Sequence, residues 1–125
     1  MQRHYDTLLE EKRGQYDVIV DKTWEDLPLE HLFDDSIDPD TGKPYYDIKE
    51  MADKIDRGVL DYFMLRVRVL YEGIELGCDY CGGFLYEDAR DVLKDGVVED
   101  MIYTAIEEAK KEAVVLKQRF QDLVI

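Results

Sequence analysis

Between Phe63 and Tyr71 the side chains alternate strictly. Phe63, Leu65, Val67, Val69 and Tyr71 fall on one side of an extended backbone; Met64, Arg66, Arg68 and Leu70 fall on the other. Period two in β-branched and aromatic residues is the signature of a strand with one buried face. A strand with a wholly apolar face must join a sheet and be covered, so this stretch constrains the fold more than any other. Glu72-Gly73 follows it, with a glycine free to take the positive φ of a tight hairpin turn. Ile74, Leu76 and Cys78 are expected to continue the apolar face on the returning strand. Gly77, Gly82 and Gly83 in that return predict a bulge, a bend or a close backbone approach.

Upstream, Tyr16, Val18 and Val20 alternate with Asp17 and Ile19, a short strand over Gln15–Asp21 that joins the same sheet. Met1–Gly14 is charged, with Tyr5, Leu8 and Leu9 as its apolar residues, and fits a short helix, a strand or a loose arm. Thr23 stands three residues before Asp26, as the cap of a short helix would. Asp38-Pro39-Asp40-Thr41-Gly42 has the composition of a turn. Over Asp47–Arg57 the residues Ile48, Met51, Ala52 and Ile55 recur at helical spacing, with Asp47 as N-cap, Glu50 three positions on and Gly58 as C-cap. A second short helix is expected over Glu87–Lys94, closed by Asp95-Gly96.

From Val97 to Leu123 the residues Val98, Ile102, Ala105, Ala109, Ala113, Leu116, Phe120 and Leu123 recur every three or four positions without glycine or proline. Such a helix is about 40 Å long, longer than a small sheet is wide. Its last turns are apolar, which fits packing on a second copy, on a partner, or on the chain's own N-terminal arm. The expected architecture is one α+β domain over 1–125. A small antiparallel sheet of about three strands, with its central hairpin at 62–80, carries helices mainly on one face and a long C-terminal helix.

The charge narrows the function classes. Thirty Asp and Glu face sixteen Lys and Arg, a formal −14. Such a field repels nucleic acid and anionic membrane and attracts basic surfaces. No apolar run approaches 18 residues, and the N-terminal stretch has no apolar signal core. A cytoplasmic protein with reduced cysteines is expected.

Few residues are arranged for chemistry. Cys78 and Cys81 have C-x-x-C spacing, but zinc wants four ligands and the histidines, His4 and His31, are remote in sequence. Cys78 and Cys81 from two chains could complete a zinc site. A redox pair would want a helix N-terminus and basic neighbours, where this motif has Asp79 and glycines. The plainer reading is two small buried hydrophobes on opposite strand faces. The Asp38–Lys49 stretch fails EF-hand spacing, because position 6 is Lys43 and position 12 is Lys49. Ser36, the one serine, sits among acids that oppose a nucleophile, and no phosphate-binding glycine loop occurs. No enzyme activity and no cofactor are expected. Arg66 and Arg68 are expected to pair with acidic helix residues rather than bind nucleic acid.

The acids concentrate in two places. Thr23–Gly42 holds seven of them and no Lys or Arg, and the long helix carries Glu99, Asp100, Glu107 and Glu108. Carboxylates spread over a rigid surface can imitate duplex phosphates. In size, acidity and lack of catalytic motif the chain resembles the small DNA-mimic anti-restriction and anti-CRISPR proteins of phages and mobile elements. That likeness of composition implies an inhibitor that occupies the basic nucleic-acid-binding surface of a host defence protein. Candidate contacts are Asp34, Asp35, Asp38 and Asp40 in the loop, with Glu99, Asp100, Glu107 and Glu108 on the helix. The competing expectation is a homodimeric structural or adaptor module, joined through the C-terminal helix, whose charge serves solubility.

Overall fold

A computed structural model of the chain describes residues 3–33 and 36–124. Four strands, β1 (Asp6–Arg13), β2 (Tyr16–Trp24), β3 (Asp61–Tyr71) and β4 (Ile74–Tyr86), form one antiparallel sheet in the order β1-β2-β3-β4. Each strand pairs with its neighbour in sequence. Between β2 and β3 the chain makes an excursion containing the short helices α1 (Leu29–Leu32) and α2 (Ile48–Asp56). A 3-10 helix, Ala89–Lys94, leads from β4 into the long α3 (Gly96–Gln121). Among the described residues no helix is long and apolar enough to cross a membrane.

The α+β class and the long final helix match expectation; the sheet gains a fourth strand, β1. That strand hides in the sequence because it carries a bulge. Thr7 pairs with Asp21 and Leu9 with Val20, so Leu8 is an extra residue and the period of two breaks at Leu8-Leu9.

The core lies between one sheet face and α3. Val18 and Val20 from β2 and Phe63, Leu65, Val67 and Val69 from β3 are fully buried against Val98, Met101, Ile102, Ala105 and Ala109. Each fully buried aliphatic or phenyl side chain of this kind is worth about 1.5–3 kcal/mol of transfer free energy. The β3–β4 turn has positive φ at both central residues, 49° at Glu72 and 79° at Gly73. That pair matches the right-handed twist of the flanking strands.

The returning strand departs from simple alternation. A regular register would set Cys78 opposite Val67 on the core face. Instead Val69 pairs with Gly77 and Leu70 with Glu75, so Leu76 is an extra residue. Residues 77–81 of β4 therefore change face, until a second bulge at Gly82-Gly83, between the Leu65–Cys81 and Phe63–Phe84 pairs, reverses the phase again. Cys78 now opposes Arg68 on the outer face, and Gly77 turns toward α3. A Cβ at Gly77 would overlap the Ala105 carbonyl oxygen and come within 2.9 Å of the Ala109 nitrogen. The bulge therefore places a residue without a side chain where helix backbone meets strand backbone.

The expected cap at Thr23 is also overturned. Thr23 belongs to β2, where it is buried and its hydroxyl donates to the His4 carbonyl at 2.7 Å. The short helix begins later, at Leu29 after Pro28, because proline suits a helix entry and Thr23 is held in the ladder opposite Met64. In α2 the expected cap forms: the Asp47 carboxylate accepts the Glu50 N–H at 3.1 Å. The Asp38–Gly42 turn also forms, with the Gly42 N–H donating to the Asp38 carbonyl at 2.8 Å.

Gly77→Ala is expected to cost about 3 kcal/mol or more in urea unfolding, since backbone on both sides resists the methyl group. Gly96→Ala, with open space around it, should change stability by less than about 1 kcal/mol.

Candidate interaction surfaces

The outer face of the sheet is organised by a carboxylate. Asp21, 1 % exposed, projects from β2 between β1 and β3. Arg66 donates to it at 2.7 and 3.2 Å, Arg68 at 3.3 Å, and the Thr7 hydroxyl at 3.0 Å. The Tyr5 ring stacks on the Arg66 guanidinium, 3.5 Å from its centroid. The arginine pair is thus neutralised as expected, but by a strand residue rather than by helix acids. Cross-strand register sets Asp21 directly opposite Arg66, whereas α3 packs on the other face of the sheet.

The cysteines stand on opposite faces of β4, Cys78 opposite Arg68 and Cys81 opposite Leu65. Burial pushes both thiols up, helped at Cys78 by the Glu75 and Glu108 charges and at Cys81 by Asp79 and Glu25. Both are protonated at neutral pH, which is the wrong direction for a nucleophile or a metal thiolate. Among the described residues no group of three or more His, Cys, Asp and Glu could hold a metal ion.

The acidic residues singled out in the sequence have different fates. Asp34 and Asp35 lie outside the described residues. Asp38 is half-buried, and its carboxylate accepts the Asp40 N–H at 2.9 Å, so it shapes the turn; Asp40 is exposed. Glu99 forms a two-pronged pair with Arg13 of β1 at 2.8 and 3.1 Å, which holds its carboxyl below the usual range. Glu107 pairs with Lys110 at 3.1 Å. Asp100 and Glu108 are exposed and make no ion pair among the described residues. The loop and the helix do not form one packed unit: α1 and α2 pack on each other, whereas α3 packs on β3, β4 and the 3-10 helix. Glu25, another acid of the basic-free run, is structural. Its carboxylate accepts the Gly83 N–H at 3.0 Å and the Leu27 N–H at 3.1 Å, tying the start of the excursion to β4.

Two clefts gather carboxylates that the sequence scatters. The larger, about 820 Å³, is lined by Asp6, Asp61, Glu87 and Asp88 together with Lys22, Arg90 and Trp24. Its Lys22 is already bound to Asp61. The smaller, about 230 Å³, lies at the β4–α3 edge, where Glu75, Glu108 and Glu112 surround Leu76, Gly77 and Cys78 with no basic side chain in the lining. Of these acids only Glu108 was singled out in the sequence. The others are single residues from separate elements, and only the meander and the crossing helix bring them together.

Among the described residues, Lys43, Lys49, Arg90, Lys111, Lys117 and Arg119 are the basic side chains without an ion pair. Three of the six sit on the last turns of α3. A third, apolar cleft of about 500 Å³ lies beside them, between those turns and the hairpin tip, lined by Tyr71, Ile74, Leu76, Ala113, Leu116 and Phe120 with Lys117 and Gln121. No protein-family model, curated protein or solved structure matches this chain.

Asp21→Asn leaves two arginines facing a neutral amide, and an unfolding titration should show a loss of about 3 kcal/mol. The Arg13–Glu99 pair is exposed and worth less than about 1 kcal/mol. Because Glu99 is lowered in the folded state, that contribution is full at neutral pH and lost as the pH falls below the ordinary value of 4.5. Glu99→Gln should therefore melt slightly below the parent at pH 7 and converge with it in acid.

Proposed function

We propose that this chain is a non-catalytic acidic binding protein that docks on a basic, nucleic-acid-binding surface of another protein and occupies it as duplex phosphates would. The observation that carries this reading is the small cleft at the β4–α3 edge, where Glu75, Glu108 and Glu112 converge without a basic neighbour in the lining. Elsewhere ion pairs within the chain take up most of the basic side chains, so the acidic surplus faces outward. Carboxylates carried on a strand and a helix share an ordered backbone, so a partner's arginines meet them without a segment having to fold. The Arg13–Glu99 and Lys110–Glu107 pairs remove two helix acids from this surface and leave Asp100 and Glu108 on the helix, with Asp40 in the loop, as the carried-over candidates. An inhibitor of a defence nuclease or its nucleic-acid-binding subunit, encoded by a phage or mobile element, is the biological setting that suits such a protein.

Immobilised protein should retain a basic DNA- or RNA-binding protein from a bacterial lysate at low salt and release it at high salt or with added duplex DNA. The triple variant Glu75→Gln/Glu108→Gln/Glu112→Gln should bind that protein at least about tenfold more weakly, a change of about 1.4 kcal/mol. Retention indifferent to salt, to DNA and to the triple variant would sink the reading.

A further inference from the structure

The apolar stripe of α3 is one continuous face with two different environments. Val98, Ile102, Ala105 and Ala109 close against the sheet. Ala113, Leu116 and Phe120 prolong the same stripe at the same spacing, and Leu123 follows just past the helix end at Gln121. Among the described residues, the side chains of the hairpin tip, Tyr71, Ile74 and Leu76, line the cleft beneath that second half. Phe120 is 65 % exposed, Leu123 60 %, Ile74 55 % and Tyr71 43 %.

We propose that this groove is the seat of a second copy of the same chain, with the two α3 ends packed antiparallel about a two-fold axis near Leu116. Size complementarity supports it. Ala113 is the small residue of the groove and Phe120 the large one, and they are equidistant from a point just past Leu116. A two-fold there lays Phe120 of each copy over Ala113 of the other. Charge complementarity supports it independently. Glu112 and Arg119 are seven residues apart, hence on one flank of the stripe, and neither has an ion pair among the described residues. The same axis sets Glu112 of one copy and Arg119 of the other about 3 Å apart along the helix, within reach of these long side chains.

The local charge also selects the occupant. Lys110–Asp122 carries Lys110, Lys111, Lys117 and Arg119 against Glu112 and Asp122, in a chain of net −14. The four basic side chains of this segment oppose a basic partner at the apolar groove, while a second copy brings its own Glu112 and Asp122 to meet them. The exposed area suffices as well. The four large side chains present on the order of 100 Å² each. With Val124 and the stems of Lys117 and Arg119 they reach the roughly 600–800 Å² per partner of a modest specific interface.

Two chains of −14 repel at long range, and salt screens that repulsion. Self-association through an apolar groove therefore strengthens with salt, the opposite sign from docking on a basic surface, so the two readings fail separately. Sedimentation equilibrium across the micromolar range should show a monomer–dimer equilibrium that shifts toward dimer as salt rises. Phe120→Glu, at an exposed position, should raise the dimer dissociation constant at least about tenfold with an unchanged circular dichroism spectrum. Arg119→Glu should weaken the dimer at low salt, and Glu112→Arg/Arg119→Glu should restore it. A wild-type chain monomeric throughout, a dimer surviving Phe120→Glu, or a double variant no better than Arg119→Glu would each overturn the proposal.

Discussion

The backbone contact at Gly77 sets the rest of the molecule. Helix and strand approach there more closely than any side chain allows, and the extra residue at Leu76 brings the glycine to that spot. With α3 anchored on the outermost strand, and its first turn reaching Arg13 on the opposite edge, the helix must cross the sheet rather than follow a strand. Three inter-strand gaps span about 14 Å, whereas 26 helical residues span about 39 Å. The uncovered apolar end of α3 is a direct result of that mismatch.

The electrostatics divide along the sheet's two faces. On the outer face Asp21 is buried enough to need its two arginines, and they in turn need it. Surface pairs such as Lys54–Glu50 and Arg57–Asp53 are worth a few tenths of a kcal/mol. Their larger effect is on what remains. By matching most basic groups to local acids, the fold leaves its excess charge as unpaired carboxylates, of which Glu75, Glu108 and Glu112 gather in one cleft. The end of α3 breaks this pattern, with unpaired lysine and arginine beside apolar side chains.

Legibility in the sequence followed locality. The β3 face, the Glu72-Gly73 turn, the α2 cap at Asp47 and the span of α3 were all readable, because each depends on residues within a few positions. The faces of β4 were not, since one extra residue at Leu76 inverted Cys78. The glycine cluster signalled an irregularity without saying where the register would slip. β1 was obscured by its own bulge at Leu8. Asp21 looked like the end of a short strand, yet it is the hub of the outer face, a role visible only once Arg66 is known to lie across from it. The acids of Thr23–Gly42 looked equivalent, but Glu25 holds the Gly83 amide and Asp38 holds a turn. Composition counts carboxylates; only geometry shows which are already occupied.

The excursion between β2 and β3 has a consequence for how the chain finds its fold. Two of the three strand pairings close over a two-residue turn, while the central one must close over residues 25–60. Loop-closure entropy grows only with the logarithm of length, so this pairing costs about 2.5 kcal/mol more than the others. The two hairpins are therefore the early units of folding, and their docking along β2 and β3 is the late, entropically limited event. The same logarithm makes the excursion inexpensive to lengthen or shorten once Glu25 has pinned its base. Residues 36–46, on the far side of that pin, are the natural place for the chain to accept an inserted module without disturbing the sheet.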